Sequence, residues 1–263
     1  MPSYVVIGGS RGVGLGIVQD LAANASNVVF VSVRNKAKST HLNEVVAKST
    51  GNIHVLEADV VDHRALKAAA AEVAKVTGGK LDVLIHNAAR MEAANLYRGL
   101  TDYEDEDQLD EELIAAFKVN ALGAIHSVNA FLPLLRAGTA KKIVIIGTEG
   151  GQTEFVWKLR VSGMAAYGAT KASEEIIMTK YAALLEPEGF TVVAISPGVV
   201  DTSSTAVEKP DPAAMAEFLP KLAKLRNVQL YTPETAAKRI LGIIDSATPK
   251  DTAKFFSEAE YID

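Results

Sequence analysis

Tyr167 and Lys171 stand four positions apart in the stretch AAYGATKASEE, and residues with that spacing share one face of a helix. A phenol alone is a poor proton donor or acceptor near neutrality, because its unperturbed pKa is about 10. An ammonium beside it favours the phenolate. Lowering the phenol by about three units corresponds to roughly 4 kcal/mol of differential interaction. A pair tuned in this way can exchange a proton with an alcohol or a carbonyl oxygen. Upstream, the run from Ile143 to Ile146 has the length and β-branched content of a buried strand, and it ends at Gly147 and Thr148. The pair then faces a hydroxyl at a strand end. A Tyr four residues before a Lys also arises by chance in many chains, so the elements around it must support the reading.

Those elements alternate between strand and helix. Tyr4 to Ile7 reads as a strand, followed by Gly8-Gly9-Ser10-Arg11-Gly12-Val13-Gly14-Leu15-Gly16 and a helix through about Ala23. Strand, glycine-rich turn and helix form the phosphate-binding arrangement of a dinucleotide fold: glycine lets the backbone approach a pyrophosphate, and the helix N-terminus favours its charge. The glycines at 8, 12 and 14 depart from the usual G-x-G-x-x-G spacing. Val28 to Val33 is a second strand. Such strands often end in an acid that binds the ribose hydroxyls of NAD. Here the end reads Ser32-Val33-Arg34-Asn35, and Arg34 with Arg11 could meet a 2′-phosphate instead. That pattern favours NADPH over NADH.

Further along, His41 to Ser49 and Arg64 to Val76 read as helices. Ile53 to Ala58 is a strand ending at Asp59-Val60, and Leu81 to Ile85 one ending at His86-Asn87-Ala88-Ala89. The acid-rich run from Asp102 to Glu112 opens a helix reaching about Leu135, where negative charge suits the helix dipole better than it suggests a metal site. That helix carries Asn120; a buried Asn needs partners, and its role is either structural or catalytic. Thr191 to Ile195 is a strand leading into Ser196-Pro197-Gly198-Val199-Val200-Asp201-Thr202. Residues 203–228 carry Met215, Phe218, Leu219, Leu222 and Leu225 at helical spacing. They read as a substrate lid, since α/β sites lie at strand C-terminal ends; the alternative is a helical hairpin closing the core. A helix from Pro233 to Ser246 precedes a last strand at Lys254 to Phe256. The whole implies one α/β domain over residues 1–263, with a parallel sheet covered on both faces.

Composition narrows the classes. The chain has 263 residues, 48% of them hydrophobic, enough for one sizeable core. A net charge of −5 without a long basic run argues against nucleic acid or an anionic membrane as the main partner. With no cysteine, neither a disulfide nor a thiolate metal site is available, and five widely spaced histidines suggest no metal cluster. No signal-peptide pattern and no run of 18 apolar residues is present, so a soluble, cytoplasmic protein is expected.

Taken together, these residues resemble the classical short-chain dehydrogenase/reductase family over essentially the whole chain. Ile7 to Gly14 resembles the family's T-G-x-x-x-G-x-G turn, Asp59 its adenine-contacting acid, and His86 to Ala89 its N-N-A-G. Asn120 matches the helix asparagine, Tyr167 and Lys171 the Y-x-x-x-K pair, and Pro197-Gly198 with Thr202 the P-G motif. The resemblance implies a seven-stranded, doubly wound Rossmann-type fold and hydride transfer to or from a nicotinamide. It assigns cofactor contacts to Gly8, Ser10, Arg11, Gly12, Val13, Gly14, Arg34, Asp59, Val60, Asn87, Ala88, Tyr167, Lys171, Pro197, Gly198, Val200 and Thr202. It further implies that Tyr167 is the general acid/base, that Lys171 also holds the nicotinamide ribose, and that Asn120 positions a water linking Lys171 to solvent.

Four departures from the family pattern stand out. Ile7 replaces a Thr that braces the turn. His86 and Ala89 replace the outer residues of N-N-A-G. Thr148 stands where the family has its catalytic Ser, keeping the hydroxyl but adding a methyl group that restricts χ1; Ser162 is a weaker candidate for that place. The stretch from Thr148 to Tyr167 is longer than usual, and Phe155, Val156 and Trp157 within it could line an apolar pocket. The longer loop is similar to that of fungal carbonyl reductases and polyketide ketoreductases of the norsolorinic acid ketoreductase group. The expected function is an NADPH-dependent ketone or aldehyde reductase acting on a small, aromatic or polyketide-like carbonyl compound. A homodimer or homotetramer is expected by resemblance. A non-catalytic NADPH-binding regulator is the alternative, but it would have little need of Asn120, Tyr167 and Lys171 together. A sugar-nucleotide epimerase would need a larger C-terminal substrate domain.

Overall fold

The computed structural model of the chain describes residues 1–208, 212–226 and 229–261, so Pro210 and Val228 of the expected lid lie outside the described residues. Strand and helix alternate from the start: β1 (Ser3–Ile7), α1 (Gly12–Ala23), β2 (Val28–Val33), α2 (Thr40–Lys48), β3 (Ile53–Glu57), α3 (His63–Thr77) and β4 (Val83–His86). Next come α4 (Glu106–Phe117), a π turn (Lys118–Leu122), α5 (Gly123–Ala137), β5 (Lys142–Ile146), α6 (Thr153–Leu159), α7 (Ala165–Leu185) and β6 (Thr191–Ile195). The C-terminal part holds β7 (Val199–Val200), α8 (Pro212–Phe218), β8 (Leu225–Arg226), β9 (Leu230–Tyr231), α9 (Pro233–Ser246), β10 (Phe255–Phe256) and β11 (Glu260–Tyr261).

Seven strands form one sheet in the order β10-β6-β5-β4-β1-β2-β3, and every pairing is parallel. The order reverses between β1 and β4, the place where open α/β sheets leave a crevice beyond the strand C-termini. Alternation along each strand divides the core. Val5, Ile7, Leu84, Ile143 and Ile145 face Leu66, Val73, Phe131, Leu135 and Met178 of α3, α5 and α7. Val6, Val31, Ile85, Val144 and Ile146 face Leu15, Val18, Leu42, Ile240 and Ile244 of α1, α2 and α9. Both faces are covered, which is why these strands read as continuous apolar runs.

Two helices meet the solvent with the caps their sequences supply. Asp62 Oδ1 accepts from the amides of Arg64 (2.8 Å) and Ala65 (3.2 Å) at the start of α3. Asp105 Oδ1 accepts from the Gln108 amide (2.8 Å), with Glu106 and Asp107 in the first turn of α4. The acid-rich run is thus a helix start, as its charge implied. Two local features differ from expectation. The stretch at 153–159, expected as loop, is the short helix α6, closed by Arg160 at φ 55°. The helix expected to run to about Leu135 contains the π turn, where the Gly123 amide reaches back five residues to the Lys118 carbonyl.

Candidate active site

The glycine turn sits at the crevice between β1 and β4. Gly8 has φ +83°, and a Cβ there would lie 2.8 Å from the Ala88 Cα, so only glycine fits. Asn87 fixes the same turn from β4: its amide donates to the Ile7 carbonyl (3.0 Å) and its side chain to the Gly8 carbonyl (2.7 Å). With Ile7 in place of a Thr, the brace comes from β2, where the Ser32 hydroxyl accepts from the Gly8 amide at 3.3 Å. Sequence reading missed this residue, although Ser32 is the one polar side chain inside the apolar strand VVFVSV.

Gly12 opens α1, whose first turn has no acidic side chain and no side-chain cap at Arg11. The chain after β6 returns to this point. Gly198 turns it at φ +75°, β7 places Val200 beside β9, and the Thr202 methyl lies 3.3 Å from where a Gly12 Cβ would be. Thr205 Oγ1 accepts from the Gly12 amide (2.9 Å). Ser10 and Val13 are partly exposed in the turn, and Arg11 and Arg34 are exposed, with no ion pair to either guanidinium among the described residues. At the end of β3, Asp59 accepts from the Val61 amide (3.1 Å). Val60 is buried, close to Gly123 of α5.

Thr148, Tyr167 and Lys171 come together at the C-terminal end of β5. Thr148 follows the strand in extended conformation, and its hydroxyl oxygen accepts from the Gly150 amide (3.2 Å). Tyr167 lies in the first turn of α7. That turn is anchored by the Ala165 amide on the Arg98 carbonyl (3.0 Å) and the Gly168 amide on the Met164 carbonyl (2.7 Å). Lys171, one turn on, is buried and donates to the Ile146 carbonyl (2.6 Å) and to the Glu174 carboxylate. Pro197 follows Ser196 at the end of the neighbouring β6.

The electrostatics at Tyr167 run opposite to the expectation. Burial pushes the phenol up, and the Glu174 and Glu149 carboxylates add to the rise. The Lys171 ammonium and a hydrogen bond with Thr148 pull it down without cancelling it. The phenol therefore sits above its ordinary value, not below. Burial works against the Lys171 ammonium, but the Glu174 carboxylate and Tyr167 outweigh it and hold the lysine above its ordinary value. Glu149 is itself held by the hydroxyls of Ser196 and Ser257, each at 2.6 Å.

Asn120 is fully buried in the π turn. Its Oδ1 accepts from the Arg90 amide (2.6 Å) and its Nδ2 donates to the Thr170 hydroxyl (2.8 Å), so it ties β4's exit to α7 next to Lys171. The long stretch before Tyr167 packs differently from the expected pocket lining. Phe155, Leu159 and Val161 form a small apolar cluster with Leu222, joined by Val199, Phe218 and Leu225. Trp157 instead points to solvent, 70% exposed, with the Arg160 guanidinium 3.6 Å from its ring centroid. Ser162 is exposed.

A glycine turn at the switch point of a parallel sheet, with a phenol, an ammonium and a strand-end hydroxyl gathered at the C-terminal end of β5, is the layout of a nucleotide-binding α/β protein. The chain belongs to the short-chain dehydrogenase family: the family's model, short chain dehydrogenase, matches residues 3–213. The short-chain dehydrogenase/reductase atnB of Arthrinium sp is 37% identical over 262 residues, covering 96% of this chain and 95% of that protein. Among solved structures, carbonyl reductase Sniffer of D. melanogaster superposes with a TM-score of 0.77 at 23% identity, covering 97% of this chain and 96% of its own. The NADPH-bound carbonyl reductase from chicken fatty liver does so with a TM-score of 0.77 at 22% identity, covering 100% and 98%. Among the described residues, no helix is long and apolar enough to cross a membrane.

Proposed function

We propose that the protein is an NADPH-dependent reductase of ketones or aldehydes, with Tyr167 as the general acid. The convergence of Thr148, Tyr167 and Lys171 beside the glycine turn carries this reading. The residues present fit a dinucleotide phosphate. The turn leaves no room for a Cβ at Gly8, the first turn of α1 is free of acids, and Arg11 and Arg34 are exposed at the same edge of the sheet. The NADPH bound to the chicken carbonyl reductase supports the same cofactor here. Arg11 and Arg34 would hold the 2′-phosphate, and the Gly8–Gly14 turn the pyrophosphate.

When bound, NADPH supplies the hydride that reaches the carbonyl carbon. The chain's own residues manage the oxygen. The Thr148 hydroxyl, whose oxygen already accepts from Gly150, donates its proton to the substrate oxygen in a hydrogen bond. Tyr167 gives that oxygen its phenolic proton as negative charge develops. A phenol held above its ordinary value is loaded with the proton it has to give throughout the neutral range. Lys171 would hold the nicotinamide ribose, and Asn120 keeps α7 in register with the exit of β4. The α6 cluster packs Phe218, Leu222 and Leu225 against Phe155 and Leu159, which supports reading the 203–228 segment as a lid over an apolar or aromatic carbonyl compound.

The direct test follows NADPH and NADH absorbance separately against aryl ketones, diketones, quinones and aliphatic aldehydes. Oxidation of NADPH with one of these classes is the expected result; no turnover despite NADPH binding favours a regulator. Thr148→Ser should keep activity. Thr148→Val, which keeps the shape and loses the donor, should lower kcat by about 10²-fold or more; an active Val variant removes Thr148 from this role. Ile114, Phe117, Leu122, Ile176 and Leu184 expose apolar surface on α4, the π turn and α7, and they support pairing with a second copy. Sedimentation equilibrium should then find a dimer or tetramer, and a monomer would reject the pairing.

A further inference from the structure

Behind Lys171 lies a buried carboxylate that the mechanism above does not use. Glu174, one turn along α7, is 1% exposed, and Lys171 is 5% exposed. Its Oε2 takes the Lys171 ammonium. Its Oε1 faces His86 Nε2 of β4 at 3.4 Å, without the alignment of a hydrogen bond, and His86 is also 1% exposed. His86 sits in the sheet between Ile7 and Ile145, walled in by strands on both sides. Burial, with Lys171 adding to it, brings the imidazole down to about 3, so it is neutral. Burial pushes Glu174 up to about 7, against the pull of Lys171. A carboxylate this deep is costly unless it is paired, and here its pair is the cation beside the proposed acid.

We propose that Glu174 is a positioning residue for the proton transfer: lodged between His86 and Lys171, its carboxylate takes up the ammonium's charge and holds the Tyr167 phenol in its proton-donating form. The inference rests on Tyr167 being the acid. An ammonium alone stabilises a phenolate; a carboxylate bonded to it offsets part of that pull. The charged groups acting on Tyr167 are Lys171 and Glu174 from α7 and Glu149 from the turn after β5. Of these carboxylates, Glu174 alone touches the lysine. The consequence is directional. A phenol that keeps its proton serves carbonyl reduction over a wider alkaline range, while alcohol oxidation, which needs the phenolate as base, starts only at higher pH.

The test is an ultraviolet difference titration of the phenolate, with Tyr167→Phe as the blank for the other tyrosines. In Glu174→Gln the Tyr167 transition should fall by about one pH unit or more. The alkaline limb of reduction should move down with it, and alcohol oxidation near neutrality should rise about tenfold per unit. A Gln variant that titrates like the parent overturns the proposal. If Glu174→Gln does not fold, Glu174→Asp, which keeps the charge and shortens the reach, should move the transition the same way by less; an Asp variant at the parent value overturns it equally. The titration needs no turnover. A shifted phenol in a chain whose Tyr167→Phe variant still turns over would therefore reject the acid role and not the coupling.

Discussion

Tyr167→Phe is expected to fold, to bind NADPH as the parent does, and to lose about 10²–10⁴ in kcat. The ring stays and only the hydroxyl goes, so the packing of the first turn of α7 and its anchors on Arg98 and Met164 are untouched. What disappears is the proton for the developing alkoxide and the partner of Thr148. The loss should fall on kcat and on kcat/KM together, because the interaction exists only as the oxygen takes on charge. Fluorescence titration with NADPH, run beside steady-state rates, separates the two effects. Retained turnover removes Tyr167 from the role of acid.

The second large effect is expected at the cofactor's phosphate. Replacing Arg11 and Arg34 together by Ala should weaken NADPH by about 10²-fold or more and leave NADH nearly unchanged. Each guanidinium removes charge-assisted hydrogen bonds worth about 1.5–3 kcal/mol, and about 1.4 kcal/mol is tenfold in affinity. Both side chains are exposed and carry no ion pair among the described residues, so their loss should leave the fold intact. The measurement is the ratio of dissociation constants for the two nucleotides. An equal loss for both would show that the arginines do not read the 2′-phosphate, and the preference for NADPH would have to be sought elsewhere in the turn.

The sheet was legible because its strands are buried on both faces, so that VVIG, VVFVSV and KIVIIG stand out as apolar runs against the glycine turns that end them. Thr148, Tyr167 and Lys171 were legible for a related reason: strand end and helix turn bring them together by local geometry. What stayed hidden depends on tertiary placement. Glu174 carries no signal in the sequence; only the closure of β4 over it makes it a buried charge, which adds to the rise that burial gives the Tyr167 phenol. His86 could be recognised as a departure from the family motif, but not its partner across the sheet. Ser32 and Asn87 bracing the turn from two neighbouring strands could not be assigned before the strand order was known. Helix α6 lacks a side-chain cap and spans seven residues, too few for a clear period, so its stretch looked like loop.

The π turn at Lys118–Leu122 bears on how the chain can vary in length. A helix with one five-residue turn holds one residue more than its path requires. Removing a residue there would let the turn relax to ordinary α spacing, with α4 and α5 still presenting the same faces to the sheet. Removing one anywhere else in that helix would swing every later side chain by about 100° and turn the buried face of α5 outward. The helix can thus shorten at one spot without misfolding, and that spot holds Asn120, which binds Arg90 and Thr170. The chain keeps its surplus residue where the fold alone has no need of it.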